Sequence, residues 1–284
     1  LRLLLSVSGT LTEREQRIGL SGSVFGFDLA ALGVSPEPIG GSFALDASAS
    51  AAGKGAYAAR IALDSIEIRN KHRTDRIRPT SVSLHTDSAA TRAEAASGDL
   101  SLTFSTPQSA DSLIAALTRS ARTLAGQIDA QSIDMEQLKP ALPDFALRVS
   151  AGPDNILNSL LKSRKIAFDA LNAEGANCDS LPVTIRLRTE GRAYGNVVLD
   201  TVTADIRQNG KRLEYALGLA NAPGNLDNIA RAGLYGHLVR NTGQANLYQR
   251  NRAGREGFRF GLDGTWTDSL VRASVTPPDP LFGV

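Results

Sequence analysis

Along nearly every extended run of this chain apolar and polar residues alternate, and this constrains the fold more than any other feature. Leu181, Val183, Ile185 and Leu187 face one way while Thr184, Arg186 and Arg188 face the other. A strand sends successive side chains to opposite faces, so such a run is apolar on one side and wettable on the other. The pattern holds for Leu3, Leu5 and Val7, for Phe43, Leu45, Ala47 and Ala49, and for Tyr57, Ala59, Ile61 and Leu63. It returns in Val198, Val202, Ala204 and Ile206, and again in Leu213, Tyr215, Leu217 and Leu219. Turn residues at short intervals predict about a dozen strands, mostly antiparallel neighbours. Asn209-Gly210, between two alternating runs, is the strongest hairpin signal because both positions tolerate positive φ. Ile66 and Ile68 fall on the opposite parity to Tyr57–Leu63, which predicts a bulge near Asp64-Ser65. Further strands are expected at Thr80–Thr86, Ala89–Ala95, Leu100–Phe104, Leu226–Val239, Gln244–Arg250, Phe258–Leu262 and Thr265–Val275, with a basic loop over Arg69–Arg78 and a turn at Asp263-Gly264. Strands apolar on one face alone must close into a barrel, pack as a sandwich, or curl into a trough that something apolar fills. Periodicity does not choose among the three.

The meander is interrupted once, from Thr106 to Lys165. Leu113, Leu117, Ala121, Leu124 and Ile128 share one helical face, with Thr106-Pro107 as cap and first turn. Ser132 is placed to cap a second helix that Pro140 ends, and Phe145–Val149 reads as a strand. A third helix opens at Pro153, with Ile156, Leu157, Leu160 and Leu161 as its stripe and Lys162, Arg164 and Lys165 at its C-terminal end. Each stripe is apolar on one side only, so these helices are expected to lie on the flanking strands.

With 5% aromatic residues and one Trp266, the chain has little material for stacking on bases. The net charge is +2, and the 31 basic residues, 25 of them arginine, are spread along the chain, which suits a solvated face better than a nucleic-acid site. LRLLL at the start is too short for a membrane span, and the chain reads as a piece of something longer. Cys178 is the sole cysteine and closes no internal disulfide. His72, His85 and His237 are scattered, without metal-ligand spacing. Gly40-Gly41-Ser42 and Gly53-Lys54-Gly55 mimic a nucleophile elbow and a dinucleotide fingerprint, but each opens a strand where those motifs need a helix. No catalytic, cofactor or metal site emerges, and the chemistry expected is that of a surface.

Four stretches resemble a known family: ALGVSPEPIGGSFALDASAS (31–50), SGDLSLTFSTPQSADSLIAAL (97–117), QIDAQSIDMEQLKPALPDFALRVSAGPDNILNSLL (127–161), and RLRTEG with LDTVTADIRQNGKRLEYALGLAN (186–221). They look like an internal region of TamB-like proteins of the AsmA-like superfamily, the translocation and assembly module. The resemblance implies an inner-membrane-anchored periplasmic protein whose sheet curls into a taco-like trough bridging to the outer membrane. It also implies phospholipid transport, outer-membrane protein assembly with a BamA-like barrel, or both, and it brings no catalytic motif. The anchor and the barrel-binding domain are expected outside this sequence.

The fold expected is therefore mainly β, an elongated antiparallel meander curled into a trough over 1–284, with N-terminal strands (1–105), a helical insertion (106–165) and C-terminal strands (166–284). Its function is expected to be that of a non-enzymatic periplasmic scaffold without cofactors, with phospholipid acyl chains as partners and no nucleic acid. The alternative is an adhesin-like interaction segment with a packed sandwich core. Val183, Ile185, Leu187, Val202, Ile206, Leu213, Tyr215, Leu217 and Leu219 are the candidate groove lining. Leu113, Leu117, Leu124, Leu157 and Leu160 are the candidate helical cover, buried against sheet residues as a static layer or as a gate.

Overall fold

A computed structural model describes residues 2–12, 15–33, 39–52, 55–69, 74–163, 166–178, 181–194, 197–222, 230–267 and 270–277. It is mainly β, with 68% of residues in strands and 14% in three helices, and the sheet is antiparallel and open. The chain divides into two compact units, one of residues 1–110 and 148–164, the other of residues 111–147 and 165–284.

In the first unit β1 (Arg2–Leu11), β2 (Glu15–Asp28), β3 (Gly40–Ala52), β4 (Ala56–Arg69), β6 (Thr80–Thr86), β7 (Thr91–Ser97) and β8 (Leu100–Thr106) pair in that order. The alternation survives pairing: Val7, Leu20, Ala47, Ile61, Val82, Ala95 and Leu102 are successive cross-strand partners on one face. The bulge falls where parity predicts it. Ala44 opposes Asp64 while Ser42 opposes Glu67, so β4 carries one extra residue, and Ser65 takes φ 51°. That extra residue returns Ile66 and Ile68 to the apolar face. The Arg69–Arg78 loop is corrected in part: β5 (Thr74–Ile77) pairs with the end of β4, and Ile66 and Ile77 face each other, both buried. His72 and Gly53-Lys54 lie outside the described residues.

A polar latch joins the β7–β8 turn to the third helix, α3 (Ile156–Ser163). Asn155 is fully buried and caps α3, its side-chain oxygen accepting from Asn158 N at 2.8 Å. Its amide donates to Asp99 Oδ1 at 2.6 Å and to the Gly152 carbonyl at 2.7 Å. Asp99 Oδ2 accepts from Asp154 N at 2.8 Å, and Arg78 pairs with the Asp154 carboxylate at 2.7 Å. Gly98 turns the chain at φ 57°, where a Cβ would collide with the Asp154 carbonyl. Partial burial works against ionising Asp99, but hydrogen bonds from the Asn155 side chain and from backbone N–H groups outweigh it and hold its carboxyl below the ordinary range. A depressed folded pKa contributes stability above the unfolded value of about 3.9 that is lost as pH falls through the folded value. Amide protection over 154–158 should therefore be flat above about pH 5 and fall in stronger acid. An Asp99→Asn variant should lose that acid step, as hydrogen exchange at several pH values would show.

The second unit carries the start of β9 (Phe145–Ala151), a two-residue β10 (Ile166–Ala167), and β11 (Ala170–Cys178). A meander of β12 (Leu181–Tyr194), β13 (Val197–Asn209), β14 (Arg212–Asn221), β15 (Arg231–Val239), β16 (Thr242–Arg250), β17 (Glu256–Thr267) and β18 (Leu270–Thr276) follows. The hairpin signalled by Asn209-Gly210 forms one residue later than expected: Asn209 pairs with Arg212, and the two-residue loop is Gly210-Lys211, with φ 59° at Gly210. Asn209 stays in the strand because its amide donates to Glu214 Oε1 at 2.6 Å. Asp263-Gly264 is no turn. Both sit inside β17, opposite Gln244 and Gly243, and the expected strand over Thr265–Val275 is split between β17 and β18. Of Leu226–Val239, the described strand begins at Arg231.

The helical block also departs from expectation at its caps. Thr106 ends β8, and α1 (Ala110–Asp129) receives its cap from a distant strand, the Ala110 N–H donating to Thr86 Oγ1 at 3.0 Å. Helix α2 (Met135–Ala141) is capped by Asp134, not Ser132, and Pro140 lies inside it. Asp134 is the better cap because its carboxylate also meets Arg240 at 3.2 Å, while residue 133 pairs backbone to backbone with residue 240. The Trp266 indole N–H donates to the Gln131 carbonyl. Helices α1 and α2 are thus tied to the turn ends of β15–β17.

Candidate functional site

The register gathers all nine candidate groove residues on one face of β12–β14. Ile185, Ile206 and Tyr215 form one cross-strand row. Leu187, Ala204 and Leu217 form the next, and Thr189, Val202 and Leu219 a third. Val183 shares the face by its parity with Ile185, and Gln208 and Leu213 are partners at the same end of it. Each row continues beyond the residues named from sequence. Leu217 faces Leu234, which faces Leu247, which faces Phe260; on the other side Leu187 faces Ala173 of β11. Eight strands from β11 to β18, seven spacings of ~4.8 Å, carry the apolar face across about 34 Å. Sequence reasoning missed the β15–β17 part because glycines at 236 and 243 occupy apolar-face positions there and break the alternation.

Burial is graded across this face. Val183 is buried at 6%, whereas Ile185 at 45%, Leu217 at 44% and Leu219 at 40% remain open to solvent. Leu187, Val202, Ile206, Leu213 and Tyr215 are half-buried. Tyr215 lies across Gly236, its hydroxyl donating to the Gln244 carbonyl at 3.0 Å, and burial raises its phenol above the ordinary value. The opposite face is not uniformly wet. Tyr235 and Tyr248 are buried there as a tilted ring pair with centroids 6.3 Å apart, Tyr248 lying over Gly233. In the first unit the apolar face is as open: Val7, Ile18, Ile61 and Val82 are all exposed.

Compared with known protein families, with curated proteins and with solved structures, the chain matches none of them.

The helical cover is corrected in three of its five members. Leu117, Leu124 and Leu160 are exposed, and Leu113 and Leu157 are half-buried. The buried line of α1 is instead Ala116, Ser120 and Gln127. Ser120 Oγ donates to the Ala141 carbonyl at 2.6 Å, and the Gln127 amide exchanges two hydrogen bonds with the Asp134 backbone at 2.9 and 3.1 Å. Buried polar groups must find partners, so these bonds orient the helix and turn its apolar stripe outward.

Of the remaining candidates, Cys178 is half-buried at the end of β11, and His85 and His237 lie in different units. No cluster of three or more metal-ligating side chains occurs among the described residues, and no described helix is long and apolar enough to cross a membrane. What this face can do is hold apolar matter against a backbone whose hydrogen bonds are already satisfied by pairing. Each methylene so kept from water contributes about 0.8 kcal/mol.

Proposed function

We propose that the apolar face holds phospholipid acyl chains, and that the chain is a non-enzymatic scaffold of the periplasm, part of a TamB-like bridge between the two membranes. The observation that carries this reading is the continuous apolar ladder of β11–β18, left 40–45% exposed at Ile185, Leu217 and Leu219. A sandwich with its core on this face would bury those residues, which counts against the adhesin-like alternative. Curling the sheet would turn the ladder into a trough and shelter a chain laid along it. Outer-membrane protein assembly with a BamA-like barrel belongs to the same reading, since an exposed apolar face also shields an unfolded strand. Native mass spectrometry of the purified chain, followed by solvent extraction, should find bound phospholipid. Lipid-free protein from a membrane-containing lysate would overturn the proposal.

A further inference from the structure

The first unit has a groove of about 760 Å³ on the face opposite its apolar ladder. Its origin is a size contrast along two cross-strand rows. One row runs Arg17, Ser50, Ala58, His85 and Arg92; the next includes Gly19, Ser48, Arg60, Ser83 and Glu94. Small residues at 19, 50, 58 and 83 form a half-buried floor, and the long side chains of Arg17, Arg60 and Arg92 stand exposed around it. A Cβ at position 19 would approach Ser8 Oγ to 2.8 Å, so that hydroxyl leans over the floor.

The rim carries three arginines against one carboxylate, Glu94, which lies across Ser83 from Arg60. Arg17 is held by Glu15 at 2.6 Å, whereas Arg60 and Arg92 have no ion-pair partner among the described residues. Both flank β6 but lie one row apart, so two strand spacings and a two-residue offset put their Cα atoms about 12 Å apart. That separation lets two guanidinium forks converge on one small anion between them. Guanidinium groups match phosphate oxygens in bidentate geometry, and hydroxyls add neutral donors. The volume is that of a small-molecule site, and the hydroxyls of Ser8, Thr10, Ser48, Ser50 and Ser83 in its mixed lining suit a hydroxylated ligand.

We propose that this groove binds a phosphate ester of a small polyol, gripped by Arg60 and Arg92 over the floor at Ala58. The site lies in the first unit, on the face opposite that unit's own apolar ladder, and does not depend on the acyl-chain reading. The same chemistry is offered by a soluble sugar or glycerol phosphate and by an anionic phospholipid headgroup. Two probes separate them: glycerol 3-phosphate titrated by calorimetry, and sedimentation with phosphatidylcholine vesicles with and without phosphatidylglycerol. Binding to glycerol 3-phosphate assigns the soluble ester, and binding to phosphatidylglycerol vesicles alone assigns the headgroup. In either arm Arg60→Ser and Arg92→Ser should each weaken binding about tenfold or more, and Arg272→Ser on β18 should not. Ala58→Phe should block the floor without changing charge, which keeps the test valid if a charge variant fails to fold. No binding to either probe, or binding that survives Arg60→Ser, Arg92→Ser and Ala58→Phe, would overturn the proposal.

Discussion

Replacing Leu217 with arginine should strip bound lipid while leaving the chain folded. Leu217 is 44% exposed in the row that runs from Ala173 through Leu187 and Leu234 to Phe260, so an arginine there can carry its charge to water along an aliphatic stem. A lipid chain on the same row would have to lie against that charge, which at the centre of an apolar layer costs about 2.5–3.5 kcal/mol. Lipid occupancy should fall on the order of tenfold to a hundredfold by native mass spectrometry, with little change in melting temperature. Ile185→Arg should behave alike. Val183→Arg is the contrast: at 6% exposure its charge would be buried without a partner, at a cost of several kcal/mol. Unfolding by Leu217→Arg would mean that this face is a packed core, and the sandwich reading would replace the scaffold.

Asn155→Ala should destabilise the first unit by about 2–4 kcal/mol, combining a lost helix cap with buried polar groups left unpaired. The residue is 1% exposed and bonds to Asp99, Gly152 and Asn158, so one truncation releases the β7–β8 turn and α3 together. Asn155→Ser keeps a cap oxygen but cannot reach Asp99, and should lose roughly half as much. Urea unfolding would give the magnitudes. Hydrogen exchange should locate the loss at 97–100 and 154–160.

The strands were legible because their signal is local. Period-two alternation and turn residues act within a few positions, and the bulge at Ser65 announced itself as a parity change between Leu63 and Ile66. Hairpin position was legible to within a residue. Tolerance of positive φ puts Asn209 in the turn, but its bond to Glu214 keeps it in the strand, and of the two only Gly210 takes the left-handed conformation. Asp263-Gly264 shows the opposite failure, since a turn-prone pair paired on both sides is simply strand.

The sequence by itself determined an antiparallel, mainly β chain, the place of its helices, and the shared face of residues such as Ile185, Ile206 and Tyr215. Those follow from side-chain periodicity and short connections, which need no partner far along the chain. Tertiary structure alone decided the caps, the facing of α1 and the groove at Ala58. The Thr86 cap on α1 is 24 residues from the amide it binds, and Arg240 is 106 residues from the Asp134 it holds. A stripe of leucines predicts which residues share a side, not which side is covered. In α1 the hydrogen bonds of Ser120 and Gln127 outweighed that stripe because buried polar groups are costly to leave unpaired, while half-exposed leucines are tolerated.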